Sequence, residues 1–205
     1  MKQQFKIAFW MTIVTTVLFG VVYPFVVTAV AQVFFPTQAD GELIQRHGVV
    51  IGSKLIGQAF SSPGYFYSRP SRSAYDGLNS GGSNLGPTNR QLIERVHQDA
   101  QRLRNENPLT PIPVDLVTAS ASGLDPDISV AAAEFQVPRV ARERGVSRAQ
   151  LVAFVEKRIE GRQFGILGEP RVNVLELNLA LDSAYPMHHS GAVPDDLAPF
   201  GISNR

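Results

Sequence analysis

Residues 7–35 read IAFWMTIVTTVLFGVVYPFVVTAVAQVFF, an almost wholly apolar stretch between the charges of Lys6 and Asp40. A helix that crosses a bilayer needs about 20 such residues. Ala29-Val30-Ala31 has the small-x-small pattern at which a secretory signal is cleaved. The apolar core of such a signal runs for about 7–15 residues, however, and this one continues to Phe35. The length therefore predicts an uncleaved transmembrane helix over residues 7–35.

The charges that flank this helix predict its orientation. Lys2 and Lys6 precede it, whereas the first charged residues after it are acidic. Basic residues are enriched on the cytoplasmic side of membrane helices. We therefore expect residues 1–6 to lie in the cytoplasm and residues 36–205 to lie outside.

Pro24 lies within the predicted helix and lacks a backbone N–H. Its ring also presses on the carbonyl group of Gly20, so a kink is expected here. A neighbouring helix can satisfy the freed carbonyl in lipid, and threonines can bond across the same contact. Alternatively, the threonines bond to their own helix backbone and Pro24 is merely tolerated. The threonines concerned are Thr12, Thr15, Thr16 and Thr28.

Composition excludes several classes of function. The 205 residues include no Cys and carry a net charge of +1. A nucleic-acid binder that acts by bulk charge needs a basic excess, so no nucleic-acid partner is expected. The absence of Cys excludes a disulfide scaffold, a thiolate zinc site, an iron–sulfur cluster and a cysteine nucleophile.

The residues after the helix predict a mixed α/β (α+β) extracytoplasmic domain over residues 36–182. Val49-Val50-Ile51 and Lys54-Leu55-Ile56 predict two short strands around a turn at Gly52-Ser53. Residues 61–88 are rich in Ser, Gly, Pro and Asn, and a loop of this length is usually functional.

Capping residues mark the helices that follow. The predicted helices begin at Pro87, Ser129 and Ser147 and end at Asn105, Gly145 and Gly161, respectively. Pro138 kinks or restarts the second helix. Ser147 with Gln150 has the pattern of a capping box.

The end of the domain allows two interpretations. Asn173 with Glu176 predicts the cap of a last helix, whereas a strand at residues 171–175 is the alternative. The sequence has no periodicity from Ser183 onward, which predicts a disordered tail over residues 183–205.

Three aromatic residues lie beside an arginine in Tyr65-Phe66-Tyr67-Ser68-Arg69-Pro70. Tyr and Arg are enriched at binding hot spots, so we expect this loop to be exposed and to dock a partner. The alternative is that the aromatics belong to the core and the arginine reaches out of it. The predicted docking residues are Tyr65, Phe66, Arg69, Gly81, Gly82 and Asn84.

The segment SGGSNLGP at residues 80–87 runs into a predicted helix N-terminus. Free backbone N–H groups and the helix dipole make such a turn competent to bind an anion. No Lys-Ser/Thr pair closes it, so it is not a P-loop. The alternative is a flexible loop before a well-capped helix.

The segment TASASGLDPD at residues 118–127 is dense in hydroxyl groups and turn formers. A nucleophile at Ser120 or Ser122 would need a base, and neither His47 nor His97 lies in a recognisable context. Two nearby aspartates do not make an EF-hand pattern. We therefore expect no catalytic residue and no metal site, with a membrane-anchored extracytoplasmic serine hydrolase as the alternative function.

Several longer motifs occur in order along the chain. They are Tyr23-Pro24, Leu55-Ile56-Gly57-Gln58, Tyr65-Phe66, Arg69-Pro70-Ser71, Ser80-Gly81-Gly82-Ser83-Asn84, Leu116 to Asp125, Gln136 to Ala141 and Val172 to Asp182. In that order they resemble the C subunit of the bacterial Kdp potassium-transporting ATPase, over nearly the whole chain to Asp182.

The resemblance implies a single-pass accessory subunit of a bacterial inner-membrane complex. Its implied partners are a channel-like potassium-binding subunit, a P-type ATPase subunit, a small membrane peptide and the lipid bilayer. The implied role is that of a catalytic chaperone, which raises the ATP affinity of the ATPase subunit. The chain lacks the Asp-Lys-Thr-Gly motif on which an aspartyl-phosphate forms.

The resemblance also implies four nucleotide-associated residues, namely Ser120, Ser122, Gly123 and Gln136. The predicted orientation places them outside the cell, where ATP is scarce. No cofactor is expected to bind this chain tightly, and ATP is expected to act through the complex. Long-range stabilisation of the assembled pump fits this orientation better than direct contact with ATP.

Overall fold

The computed structural model describes residues 1–46 and 48–187, and it mixes helices with short strands as the sequence predicts. Contacts divide the chain into two compact units, residues 1–53 and residues 54–205. The domain boundaries predicted at residues 7, 36 and 183 remain predictions.

The first unit begins with an uninterrupted helical segment, Lys2–Phe34, that is long and apolar enough to cross a membrane. It consists of α1 (Lys2–Val17), a π-helical turn (Leu18–Val22) and α2 (Tyr23–Phe34). At about 1.5 Å per residue, its length exceeds the roughly 30 Å of a hydrocarbon core. Its side chains are exposed almost throughout, as expected of a surface that lipid can cover.

The irregularity expected at Pro24 takes the form of this π-helical turn. The N–H of Tyr23 donates to the carbonyl of Leu18, five residues back, directly before the proline. Widening of the turn is a known way to accommodate a missing helix hydrogen bond. The hydroxyl of Thr12 donates to Ala8 O at 2.9 Å, and that of Thr15 donates to Met11 O at 2.8 Å. For these two threonines, bonding to their own helix is therefore the alternative that holds.

A short helix, α3 (Pro36–Ala39), leads into an antiparallel hairpin of β1 (Leu43–Arg46) and β2 (Val49–Ser53). The predicted turn at Gly52-Ser53 is wrong, because Gly52 lies within β2 and residues 54–56 form no strand. The chain reverses instead near Gly48, whose φ of 79° is a left-handed value that glycine adopts without steric cost.

The second unit contains α4 (Arg90–Glu106), a 3₁₀ turn (Val114–Leu116), β3 (Asp127–Ser129), α5 (Val130–Arg144), α6 (Arg148–Glu156), β4 (Arg171–Asn173) and α7 (Val174–Ala184). Strands β3 and β4 pair antiparallel, with Ile128 opposite Val172. Among the described residues, one cluster of buried apolar side chains joins α5, α6, α7, this strand pair, Leu103 of α4 and Phe66 in the loop that precedes α4. Its largest fully buried side chains include Phe66, Phe135, Leu151, Leu177 and Leu181.

The capping residues confirm most of the helix starts. Ser129 accepts from Ala132 N, Ser147 forms a complete capping box with Gln150, and Asn173 accepts from Glu176 N. The last segment satisfies both of its interpretations, because β4 ends at Asn173 and α7 begins on the next residue.

Three predicted helix limits differ from the structure. Helix α4 begins at Arg90, not at Pro87, because Asn89 caps it by accepting from Gln91 N at 2.8 Å. Helix α6 ends at Glu156 rather than at Gly161. Helix α7 continues past Ser183 to Ala184. The predicted tail beyond residue 187 lies outside the described residues.

Candidate functional site

The main chain of residues 63–67 runs from an exposed Pro63 through the buried residues Gly64, Tyr65 and Phe66 to a half-buried Tyr67, and within the described part of the chain it pairs with no strand. Asn178, on α7, bonds to both polar groups of Phe66. The N–H of Phe66 donates to Asn178 Oδ1 at 2.9 Å, and Asn178 Nδ2 donates to the carbonyl of Phe66 at 2.9 Å. An amide side chain offers the same donor and acceptor as a peptide group. Asn178 therefore takes the place of a paired strand.

Gln136, on α5, makes the same pair of bonds with the next residue. The N–H of Tyr67 donates to Gln136 Oε1 at 2.8 Å, and Gln136 Nε2 donates to Tyr67 O at 3.1 Å. Nε2 also donates to Ala132 O, and Oε1 also accepts from Arg139. A primary amide has two donors and two acceptor positions, so the side chain of Gln136 uses its full bonding capacity.

Two arginines of α5 bond to the backbone carbonyl groups of the three residues that precede Phe66 and Tyr67. Arg139 Nη1 donates to Pro63 O at 2.6 Å and to Tyr65 O at 2.9 Å, and Arg144 Nε donates to Gly64 O at 2.8 Å. The guanidinium of Arg139 also lies 3.9 Å from the centre of the Tyr67 ring. We call these four side chains, Gln136, Arg139, Arg144 and Asn178, the backbone clamp.

Burial of the cationic members of the clamp is compensated by acidic partners. Desolvation lowers the pKa of Arg139 from its usual value, while Glu106, 3.3 Å away, opposes this effect. The side chain of Arg144 is completely buried and pairs with Asp182 at 2.8 Å. The hydroxyl of Tyr65 donates to the other oxygen of that carboxylate at 3.0 Å. Burial, together with the charge of Asp182, raises the pKa of Tyr65 to about 12.

The expected exposure of the aromatic segment is wrong. Tyr65 is 5% exposed and Phe66 is 0% exposed, because the clamp holds their backbone against the core. The alternative interpretation, core aromatics beside an arginine, describes the structure. Arg69 remains partly exposed and pairs with Asp125 at 2.9 Å.

The two glycine- and serine-rich motifs contact each other. The N–H of Gly81 donates to Ser122 O at 2.8 Å, and Ser80 Oγ donates to the same carbonyl at 3.0 Å. A Cβ atom added at Gly82 would lie 2.9 Å from the carbonyl oxygen of Ala121. Only a residue without a side chain permits this approach at Gly82. The bond from Gly81 also means that one N–H group of the turn predicted to bind an anion is already engaged by the other loop.

Position 123, in the serine loop, also requires glycine, because of its backbone conformation and because a neighbouring side chain is close. Its φ is 71°, and an added Cβ would lie 2.6 Å from Ser73 Oγ. Its carbonyl accepts from Ser71 Oγ at 2.6 Å. Residues 69–73 therefore link the clamped segment to the pair of loops. Asn84, the remaining predicted docking residue, is exposed and has a φ of 53°.

The four nucleotide-associated residues fall into two separate sets of bonds. Ser120 Oγ and Ser122 Oγ lie 3.1 Å apart, and Ser122 Oγ also accepts from Leu124 N. Gln136 bonds to Tyr67 and its neighbours but to none of the other three residues. In the described part of the chain, neither serine hydroxyl bonds to a histidine or a carboxylate. The nucleotide role of these residues remains a prediction.

Sequence reasoning missed three members of the clamp. Asn178 carries the clearest signal, because it lies among Leu175, Leu177 and Leu181 on the buried side of α7. An amide on an apolar helix face indicates a buried hydrogen-bond partner. Arg139 and Arg144 give no comparable signal, since arginine is usually exposed.

Within residues 1–46 and 48–187, no group of three or more His, Cys, Asp or Glu side chains could hold a metal ion.

We predict that Asn178→Leu and Gln136→Leu each lower the free energy of unfolding by about 2–4 kcal/mol, because each leaves a buried N–H and a buried C=O without partners. Urea titration of the full chain in detergent measures the change. Gln101→Leu, at an exposed position of α4, is the matched control and should shift stability by about 0.5 kcal/mol or less. Equal small effects at all three positions would contradict the clamp.

Comparison with known proteins gives a consistent result over almost the whole chain. The family described as KdpC, the c chain of the K+-transporting ATPase, matches residues 5–183. A protein of Koribacter versatilis named potassium-transporting ATPase KdpC subunit is 57% identical over 91% of this chain and 98% of its own length. A protein of the same name from Rhodopseudomonas palustris is 51% identical over 90% of this chain and 100% of its own length.

A third relative of that name, from Methylococcus capsulatus, is 53% identical over 89% of this chain and 99% of its own length. The family match covers both the apolar helix and the clamp. The chain therefore belongs to the KdpC family of subunits of the K+-transporting ATPase.

Proposed function

We propose that this chain is a non-catalytic accessory subunit that stabilises the assembled potassium pump and thereby raises the ATP affinity of the ATPase subunit. The observation that carries the proposal is the bonding of Gln136. All four bonding positions of its amide are used inside the chain, so a hydrogen bond from Gln136 to a nucleotide would require the clamp to open. An indirect effect on ATP binding needs no such opening.

A partner can change ATP affinity without touching ATP. If the subunit binds more tightly to the state of the pump that has high affinity for ATP, it increases the population of that state. The coupling is limited by the difference between its affinities for the two states. The second unit has a continuous apolar core and a hydrogen-bonded clamp, and a domain that is already ordered loses little conformational entropy when it binds.

The proposed partners are the channel-like potassium-binding subunit, the P-type ATPase subunit and the small membrane peptide of the same complex. The helical segment Lys2–Phe34 would anchor the chain in the bacterial inner membrane. Lys2 and Lys6 support a cytoplasmic N-terminus, which would place the second unit on the extracytoplasmic side. This orientation also separates the second unit from cytoplasmic ATP.

We predict that a purified pump assembled with this chain has a lower KM for ATP than the same pump prepared without it, by about 5- to 150-fold. Ser120→Ala and Ser122→Ala should leave that KM within about twofold, because neither hydroxyl contacts ATP in the proposed role. The measurement is potassium-stimulated ATP hydrolysis as a function of ATP concentration.

Two outcomes would contradict this account. A serine variant that assembles normally but has the KM of the pump without the chain would indicate direct contact with the nucleotide. A loss of turnover by several orders of magnitude at either serine, with assembly intact, would restore the serine hydrolase.

We predict that protease added to intact spheroplasts degrades residues 54–187, because these residues would lie outside the membrane. Immunodetection of a C-terminal tag and of an N-terminal tag on the full chain follows the two ends. A cytoplasmic enzyme that stays intact is the control for leakage. Protection in spheroplasts with cleavage in inverted vesicles would reverse the orientation and bring the serine loop to the side where ATP is available.

A further inference from the structure

Residues 161–169, which we call the finger, connect α6 to β4 and fold on their own hydrogen bonds. Gln163 and Leu167 exchange two backbone bonds, both of 2.9 Å. The N–H of Ile166 donates to Gln163 O at 3.2 Å, which closes a tight turn. Arg162 and Glu169 pair at 2.8 Å across the base of the finger. The finger is therefore a shaped hairpin rather than an irregular loop.

The tip of this hairpin is apolar and fully in solvent. Phe164 is 91% exposed, Ile166 is 75% exposed and Leu167 is 55% exposed. Every residue from 161 to 170 is exposed, so the core of the second unit gives no reason for these side chains. Three large apolar residues grouped at one tip are typical of a surface that another molecule covers.

The turn at the tip adds an independent argument. Its two central residues, Phe164 and Gly165, have φ values of 53° and 76°. Turns with two left-handed residues strongly prefer Asn, Asp or Gly at the first of them, because a Cβ atom is crowded there. Phenylalanine is thus unfavourable for the turn and unfavourable in water. A residue that opposes local stability in both ways is expected where it serves binding.

The charges around the finger indicate what covers it. A loop that inserts into an anionic membrane is flanked by unpaired basic residues. Within the finger, Arg162 is paired with Glu169, and Arg171, just beyond the base, is paired with Asp127 and Glu160. On the α6 side, Arg158 lies over the ring of Phe154, and among the described residues only Lys157 near the base is exposed without an acidic partner. The exposed carboxylate of Glu169 would be repelled by anionic headgroups. An uncharged apolar tip on a charge-balanced base fits an apolar socket in a protein.

We infer that the finger docks this chain onto another subunit of the K+-transporting ATPase by inserting Phe164 and Ile166 into an apolar socket of that subunit. The inference rests on the proposed function, because it takes its partner from the complex to which the chain is assigned. It moves the docking surface away from the aromatic segment at residues 65–67, which is engaged by the clamp.

The direct test places the photo-crosslinking amino acid p-benzoylphenylalanine at position 164 of the full chain, co-expressed with the other subunits of its pump. Irradiation of the membranes should join the chain to one of those subunits. Adducts only with lipid, only with a second copy of this chain, or with nothing would each overturn the inference. A matched probe at Leu109, which is 94% exposed on another loop, should give no subunit adduct.

A pair of variants separates docking from folding. Phe164→Asn should leave the melting temperature unchanged or raised, because asparagine suits the turn. Co-purification with the other subunits should fall at least about tenfold, since a buried aromatic anchor is worth roughly that or more. Leu109→Asn, the control, should change neither quantity. Normal co-purification of Phe164→Asn would contradict the inference.

The same pull-down with the unmodified chain separates this inference from the proposed function. If the unmodified chain fails to co-purify with any other subunit, the accessory role itself fails. If it co-purifies and Phe164→Asn does so equally well, only the finger is refuted.

Discussion

Burial of the main chain at residues 64–66 is the constraint on which the second unit depends. A buried peptide group without a hydrogen-bond partner costs about 1–3 kcal/mol, and this segment has no adjacent strand to bond to. The clamp supplies the partners from two helices, through Gln136 and Arg139 on α5 and Asn178 on α7. Because each side chain must meet a particular backbone atom, the clamp also fixes the register of the two helices against the loop.

The rest of the candidate site follows from that arrangement. Residues 63–67 are followed directly by two residues that bond to the serine loop. Arg69 donates to the carboxylate of Asp125, and Ser71 donates to the carbonyl of Gly123. The serine loop is therefore positioned by the same segment that the helices hold. The backbone of Ser122 joins this loop to Gly81, and three of the exposed large apolar side chains of the second unit, Phe164, Ile166 and Leu167, lie together at the finger.

Helix ends were predictable where the determining interaction is local. Ser129, Ser147 and Asn173 cap helices through backbone atoms three residues away, so a short window of sequence contains the whole interaction. The predicted position of the hairpin turn was wrong because Gly48 and Gly52 are both compatible with a turn, and only the pairing of the strands distinguishes them. The prediction that Tyr65 and Phe66 are exposed was wrong because their hydrogen-bond partners are more than 70 residues away. Those partners lie on helices whose placement a linear pattern does not specify.

The backbone amides of Phe66 and Tyr67 donate to Asn178 and Gln136, and the proposed function requires that ATP leave these two bonds intact. Amide hydrogen exchange on the full chain, with and without Mg-ATP, measures both properties. We predict that the amides of Phe66 and Tyr67 exchange as slowly as that of Val140 inside α5, and that Mg-ATP leaves their rates unchanged. Exchange as fast as at the exposed Leu109, or a change at Tyr67 on addition of Mg-ATP, would contradict the account.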